Sequence, residues 1–215
     1  MYKCCVIITF TIFFAGCKKS NSPVNKNEEK IAGMEKYEYL CSDGGPFLVI
    51  PKSLSRYWKG HKINMLNPLD PKTDYGRACS IDGSWGLINV GKGSALVLAD
   101  PPMVSWAFSE DGEYVDVFVL QMWNIMDLDS LIDKALVETS VDAFKKTDAF
   151  LEVGQDGVLI VYAGDKIGDP LYGESTISID SGKYIIYTAY YKDKDGEVAI
   201  YRLHKYDAQA TGPRR

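Results

Sequence analysis

Short apolar segments separated by glycine-containing turns restrict the fold of this 215-residue chain more than any other feature. Phe47–Ile50 lies between Gly44-Gly45-Pro46 and a further proline, a length and flanking pattern that favours a buried strand over a helix. Trp85–Val90 and Ser94–Ala99 flank Gly91-Lys92-Gly93. This spacing predicts a hairpin, because glycine adopts the positive φ angles that tight turns require.

The same pattern continues along most of the chain. Further predicted strand pairs are Met103–Phe108 with Glu113–Trp123, Glu152–Gly154 with Val158–Ala163, and Glu174–Asp180 with Lys183–Tyr191, followed by a last strand, Val198–His204. Strands joined by local turns form an antiparallel meander, and strands alternating with long helices, which would indicate a parallel sheet, are not seen.

One segment has helical periodicity. Its apolar stripe, with spacings i, i+3, i+4, i+7 and i+8, consists of Leu128, Leu131, Ile132, Ala135 and Leu136. Asp127 or Asp129 is placed to cap the first turn of this helix, and Ser140–Lys146 is a candidate second helix. The predicted fold class is α+β, a mainly antiparallel sheet of hairpins with one or two short helices packed on it.

The N-terminus has the organisation of a bacterial lipoprotein leader. Lys3 precedes the apolar run Cys4–Phe14, and Ala15-Gly16-Cys17 follows. A run of this length is typical of a signal peptide and too short to span a bilayer. Small residues directly before a cysteine resemble the lipobox, so we expect residues 1–16 to be removed and Cys17 to become a lipid-modified N-terminus. The expected location is the cell envelope, at the periplasmic or outer-membrane face.

The remaining chain divides by composition. Residues 17–36 are rich in Lys, Asn, Ser and Glu without apolar periodicity, which predicts a flexible tether. Residues 37–206 are expected to form a single α+β domain, and residues 207–215 a disordered tail. Cys41 and Cys79 are the two thiols of that domain. They could pair or remain separate, because sequence does not show whether the geometry of a disulfide is met.

Charge and motifs exclude several function classes. The net charge of −5 argues against a nucleic-acid ligand, which requires a basic patch. His61 and His204 lie in no recognisable motif, and no metal-spaced set or nucleophile elbow is present, so we predict neither a metal nor a cofactor. Asp193–Glu197 begins like a calcium loop but lacks the distant glutamate that completes one. We therefore interpret it as a polar hairpin turn.

Several segments, taken in order, resemble the immunity protein 21 family of bacterial polymorphic toxin systems. The resemblance covers roughly residues 38–206. The segments are Gly44–Leu54 with Tyr57–Gly60, Asp74–Cys79, Gly91–Pro102 with Ser105-Trp106, Ser181–Tyr184, and Tyr201–His204.

The resemblance implies a stoichiometric inhibitor, not an enzyme, that binds and neutralises a cognate toxin domain one to one. The contact residues that we expect are Tyr57, Trp58, Asp74, Asp100 and Trp106. Tyrosine and tryptophan commonly anchor interfaces, and the lysine-rich surroundings of Tyr57-Trp58 indicate an exposed pair. The alternative is an envelope lipoprotein that binds a small molecule or envelope component, and a third possibility is an unrecognised hydrolase.

Overall fold

The computed structural model confirms the α+β class and describes residues 36–42, 44–60, 70–99, 103–109, 112–122 and 127–206. Eleven strands and two α-helices lie within these ranges. In chain order they are β1 (Tyr39–Cys41), β2 (Phe47–Pro51), α1 (Asp74–Cys79), β3 (Trp85–Val90), β4 (Gly93–Leu98), β5 (Met103–Phe108), β6 (Tyr114–Met122), α2 (Leu128–Glu138), β7 (Lys145–Val153), β8 (Val158–Tyr162), β9 (Glu174–Ile177), β10 (Gly182–Lys192) and β11 (Gly196–Lys205). Short 3₁₀ turns occupy Lys52–Tyr57 and Val141–Ala143.

The strands form two antiparallel sheets. The six-stranded sheet has the order β1-β5-β6-β11-β10-β7, and the five-stranded sheet has the order β3-β4-β2-β8-β9. Apolar side chains from both sheets, including Phe47, Leu96, Val117 and Ile186, fill one core between them. Side chains alternate between the two faces of a strand, so each sheet also presents an outer face.

Each outer face is covered by helical segments. On the six-stranded sheet, Leu131, Ile132 and Ala135 of α2 pack with Phe118 and Ile200 in a second core. On the five-stranded sheet, α1 and the 3₁₀ turn pack over a third core, whose members include Leu48, Val161, Trp58 and Ala78. The described residues therefore form four layers, helix, sheet, sheet and helical turns.

The predicted hairpins are confirmed where consecutive strands stay in one sheet, as β3–β4, β5–β6 and β10–β11 do. Two others are wrong. β7 pairs with β10, whereas β8 pairs with β2 and β9, so the turn between β7 and β8 joins different sheets. The segment between β9 and β10 crosses back in the same way. A turn reverses the chain direction, but packing decides the sheet to which each strand belongs.

The predicted helix is confirmed as α2. Asp127 is its N-cap, and its side chain accepts a hydrogen bond from the backbone N–H of Asp129 (3.1 Å). The hydroxyls of Tyr37 and Tyr39 donate to Asp133 (2.7 Å) and Asp129 (2.5 Å), so the start of β1 and the residues before it fasten α2 to the sheet. The second predicted helix is wrong in extent, because only the turn Val141–Ala143 is helical and β7 begins at Lys145.

The two thiols of the folded body form no disulfide with each other. Cys41 packs in the core beneath α2, whereas Cys79 ends α1 on the other outer face. A disulfide requires a Cα separation of about 4.4–6.8 Å, and thiols on opposite outer faces of a sandwich do not meet it. The alternative of two separate cysteines is therefore the one that the structure supports.

Candidate partner-binding surfaces

Tyr57 presents an exposed aromatic ring above the β3–β4 turn. A Cβ atom added to Gly91 would lie 2.6 Å from the ring carbon Cδ2, so the glycine lets the ring lie flat against the turn. The guanidinium of Arg56 lies 4.8 Å from the ring centre, and its Nη2 donates to the tyrosine hydroxyl (3.0 Å). Tyr57 is 40% exposed, which agrees with the sequence expectation for this residue.

Trp58 is buried, so the expectation that it is exposed is wrong. It is 2% exposed, and its indole Nε1 donates to the carbonyl oxygen of Ala163 (3.0 Å). The 3₁₀ turn ends at Tyr57, and Trp58 takes an extended conformation that directs its ring into the outer core of the five-stranded sheet. The neighbouring lysines made the segment look exposed, but adjacent residues of an extended chain point in opposite directions.

Asp74 ties the segment after Trp58 to α1. Its Oδ2 accepts from the backbone N–H of Lys59 (2.7 Å), and its Oδ1 accepts from Nη2 of Arg77 (2.7 Å). Tyr57, Trp58 and Asp74 therefore lie together on the outer face of the five-stranded sheet. We call this the loop surface. Within it, Asp74 and Trp58 hold the segment, and Tyr57 is the aromatic side chain that reaches solvent.

A buried carboxylate supports the loop surface from below. Asp165 is 7% exposed, and its Oδ2 accepts from the backbone N–H of Tyr172 (2.9 Å). A Cβ atom on Gly60 would lie only 2.3 Å from the backbone oxygen of Asp165, so the two segments touch. Burial raises the pKa of Asp165 above its ordinary value, although the backbone hydrogen bonds act in the opposite direction.

The structure does not bring Trp106 to the loop surface. Trp106 belongs to β5 in the six-stranded sheet, and its half-buried side chain packs against the core between the sheets. Asp100 and Cys17, the other two predicted site residues, lie outside the described residues, as does His61.

A second surface lies on the outer face of the six-stranded sheet, and sequence reasoning missed it. A groove of about 310 Å³ opens between the β5–β6 hairpin and the end of α2. We call it the hairpin groove. Its lining residues are Ala107, Phe108, Ser109, Tyr114, Asp116, Leu136, Thr139, Val141, Phe144 and Arg202.

The floor of the hairpin groove is an ion pair between the buried Asp116 and the partly buried Arg202. Nε and Nη2 of Arg202 donate to Oδ1 (2.8 Å) and Oδ2 (2.9 Å) of Asp116, which is 2% exposed. The guanidinium carbon lies 3.7 Å from the ring centre of Tyr114 and 3.9 Å from that of Phe144. Burial acts to lower the pKa of Arg202, but the hydrogen bonds and charge of Asp116 outweigh it and keep that pKa raised.

The rim of the hairpin groove is apolar and exposed. Phe108 is 51% exposed, Val141 is 80% exposed, and Leu136, which also lines the groove, is 36% exposed. Below the rim, the hydroxyl oxygen of Thr139 is buried without a hydrogen-bond partner. The sequence signal was Asp116, the one charged residue of β6, and Arg202 between apolar residues of β11, which β pairing places opposite each other.

A larger and more polar groove of about 490 Å³ shares Phe108 and Tyr114 with the hairpin groove. Its walls carry Glu113, Asp180, His204 and Lys205. The Lys205 ammonium lies 3.0 Å from an Asp180 oxygen, so part of this charge is already paired.

The described residues were compared with the requirements of a metal site and of a membrane span. They contain no group of three or more His, Cys, Asp or Glu side chains that could hold a metal ion. None of the helices in the described ranges is long and apolar enough to cross a membrane. The Asp193–Glu197 segment forms the β10–β11 turn, in which Oδ1 of Asp193 accepts from the backbone N–H groups of Asp195 and Gly196.

Comparison with known proteins gives one match. The family model for immunity protein 21 matches residues 38–196, which is more than half of the chain and extends from the residue before β1 to the first residue of β11. No curated protein and no solved structure is significantly similar to the chain.

Proposed function

We propose that this chain, which belongs to the immunity protein 21 family, binds a cognate toxin domain one to one and neutralises it without catalysis. The family match over residues 38–196 carries the proposal, since the family implies a toxin partner. A stoichiometric inhibitor requires a rigid, complementary surface and no reactive group. The loop surface and the hairpin groove both lie on sheets held by buried cores, which limits the ordering cost of binding.

The direct test is protection of a living cell. The toxin domain encoded beside this chain is expressed in a susceptible host, directed to the compartment where it acts, with and without this protein in the same compartment. We expect growth only when the protein is present, and a stable complex of the two chains on gel filtration. Growth arrest in both strains, together with separate elution, would contradict the proposal.

The proposal includes attachment to the envelope through a lipid on Cys17. The support is the apolar run before Ala15-Gly16-Cys17. Mass spectrometry of the membrane-extracted protein should find an N-terminus at Cys17 that carries acyl chains, and Cys17→Ser should move the protein out of the membrane fraction. An unmodified N-terminus at another residue would contradict this part, whereas toxin binding would stand independently.

A second candidate function is binding of a small molecule by an envelope lipoprotein. The observation that favours it is the size of the two grooves, about 310 and 490 Å³, which falls within the range of ligand sites. The neighbouring reading frame separates the two functions. A large secreted protein with a C-terminal toxin domain supports immunity, and a transporter or polysaccharide-utilisation cluster supports ligand binding.

A further inference from the structure

We propose that the hairpin groove is the surface that docks the toxin, and that its occupant is one toxin loop carrying a large apolar side chain next to a neutral hydrogen-bond acceptor. This inference rests on the proposed function, because it names the binding face and the chemistry of the partner.

The exposed apolar side chains of the groove indicate the apolar part of its partner. Large apolar side chains that remain exposed in the described residues are few, and three of them, Phe108, Leu136 and Val141, line this one groove. Isolated exposed apolar residues are ordinary, but a cluster around a concavity marks a site of interaction. Interface energy concentrates where an anchor side chain fills such a pocket and excludes water. A large aliphatic or aromatic side chain is the complement of this rim.

The geometry of Arg202 indicates the hydrogen-bond acceptor of the partner. Its Nε and Nη2 are bound to Asp116, whereas Nη1 forms no hydrogen bond with any described residue, and the Arg202 side chain lines the groove. Two aromatic rings, Tyr114 and Phe144, hold the guanidinium plane in place. A fixed donor loses little conformational freedom on binding, so it selects a partner that places an acceptor in line with it.

The charge of the floor decides which acceptor is suitable. Asp116 already neutralises Arg202, so the floor presents a donor without net positive charge. A carboxylate would have to leave water for an uncharged floor, which is costly, whereas a backbone carbonyl meets the same donor at a smaller desolvation cost. We therefore assign the contact to a backbone carbonyl or side-chain amide beside the apolar anchor.

A second copy of this chain is a weaker occupant for the same groove. Each copy carries a formal charge of −5, and two like-charged bodies repel each other. A toxin domain that is neutral or basic is not repelled by the negative charge of this chain. The toxin is therefore the expected occupant, and self-association of this chain would be detected as a dimer in the absence of toxin.

The test compares two exposed valines that differ in position alone. Val141 lines the groove and is 80% exposed, and Val137 is 84% exposed but does not line it. Val141→Glu and Val137→Glu introduce the same charge at surfaces where neither should disturb folding, which circular dichroism verifies. The affinity of each full-length variant for the neighbour-encoded toxin domain is measured by isothermal titration calorimetry. We expect Val141→Glu to weaken binding about 30-fold or more, and Val137→Glu to change it less than about threefold.

Two further variants test the apolar wall and the hydrogen-bond donor of the groove separately. Phe108→Ala should weaken binding by a similar factor, because it removes a wall of the anchor pocket. Arg202→Lys keeps a positive charge beside Asp116 but removes the planar Nη1 donor, and we expect about tenfold weaker binding. Its melting temperature is recorded alongside, and the affinity is compared only at temperatures where the variant is folded.

Each outcome has a distinct meaning. If the unmodified protein does not bind the toxin, the proposed function fails, and this inference fails with it. If the unmodified protein binds, and Val141→Glu and Phe108→Ala bind equally well, the groove is not the docking surface and immunity stands. Loss of binding in Tyr57→Ala alone would place the contact on the loop surface and overturn the inference. A dimer that Val141→Glu dissociates without toxin would make a second copy the occupant, which also overturns it.

Discussion

Replacing Trp58 separates the structure of this protein from the interpretation that its sequence first suggests. As an exposed interface anchor, Trp58 could be replaced by alanine with little effect on folding. In the structure it is 2% exposed, packed beneath the segment that carries Tyr57, with its indole N–H bound to the carbonyl of Ala163. The substitution should therefore act on stability first.

The magnitude follows from two losses. Removing a large aromatic side chain from a packed core costs about 3–5 kcal/mol. Leaving the Ala163 carbonyl without its donor costs about 1–3 kcal/mol by itself, and Trp58→Phe isolates most of that second loss by keeping an aromatic ring. We expect Trp58→Ala, which incurs both losses, to lose about 4–8 kcal/mol of unfolding free energy and Trp58→Phe about 1–3 kcal/mol.

Equilibrium unfolding in urea, followed by circular dichroism, measures both values. Tyr57→Ala is the matched control, since Tyr57 is the adjacent aromatic residue and is 40% exposed. It should lose about 1 kcal/mol or less. If Trp58→Ala were as stable as Tyr57→Ala, the Trp58 side chain would not be part of the core, and its role in holding the loop surface would be refuted.

Three other perturbations test the packing and electrostatics. Ile132→Asp should lower the free energy of unfolding by more than about 3 kcal/mol, because it buries an unpaired charge under α2. Val137→Asp, on the exposed side of that helix, should change it by no more than about 0.5 kcal/mol. Equal shifts of the melting temperature in the two variants would show that the buried face is misassigned. Gly157→Ala should lower the melting temperature more than Gly112→Ala does. Both glycines have φ near +70° (72° and 74°), but only at Gly157 would the new Cβ lie 2.3 Å from a backbone oxygen at the end of β9. Calorimetry measures the two melting temperatures, and similar losses would mean that backbone strain alone matters. Asp165→Asn should raise the melting temperature at pH 7. A carboxyl whose pKa is raised by burial contributes stability in its protonated form and loses that stability as the pH rises through the raised pKa. The gain in melting temperature should therefore shrink as the pH falls below the ordinary range of aspartate, and a variant that melts at a lower temperature than the unmodified protein at pH 7 would contradict the sign.

Features set by neighbouring residues could be predicted from the sequence. The α2 stripe was correct at Leu131, Ile132 and Ala135, which are buried, because helical periodicity is a local signal. It was wrong at Leu136, which is 36% exposed at the C-terminal end of the helix. The hairpins around Gly91 and between β10 and β11 were correct for the same reason. In each case the turn residues and the paired strands lie within about twenty residues of each other.

The division into two sheets could not be predicted in this way. The turn between β7 and β8 is genuine, since Gly157 has a φ of 72° and its N–H donates to the carbonyl of Gly154. The strands on either side nevertheless join different sheets, because β7 pairs with β10 and β8 with β2. Pairing partners that are distant in sequence depend on the packing of the whole core, which turn chemistry does not encode.

The candidate sites show the same limit. Tyr57 was predicted to be exposed and is, but its neighbour Trp58 was misassigned because the charge of a segment does not tell which of two adjacent side chains points inward. The hairpin groove combines Phe108, Phe144 and Arg202 from three separate segments. Arg202 is the only one of the three that carries a sequence signal, as a charge between apolar residues of a strand, and only the fold places the three around one concavity.

The most direct test of the central claim is a titration of toxin activity. The purified toxin domain is assayed at fixed concentration, well above the dissociation constant, while this protein is added in increasing amounts. A stoichiometric inhibitor predicts that activity falls linearly and ends at one equivalent, with no further change on longer incubation. Unaltered activity at several equivalents would contradict immunity against that toxin. Progressive loss of activity at a small fraction of an equivalent would show that the protein acts on its partner catalytically and would contradict inhibition by binding.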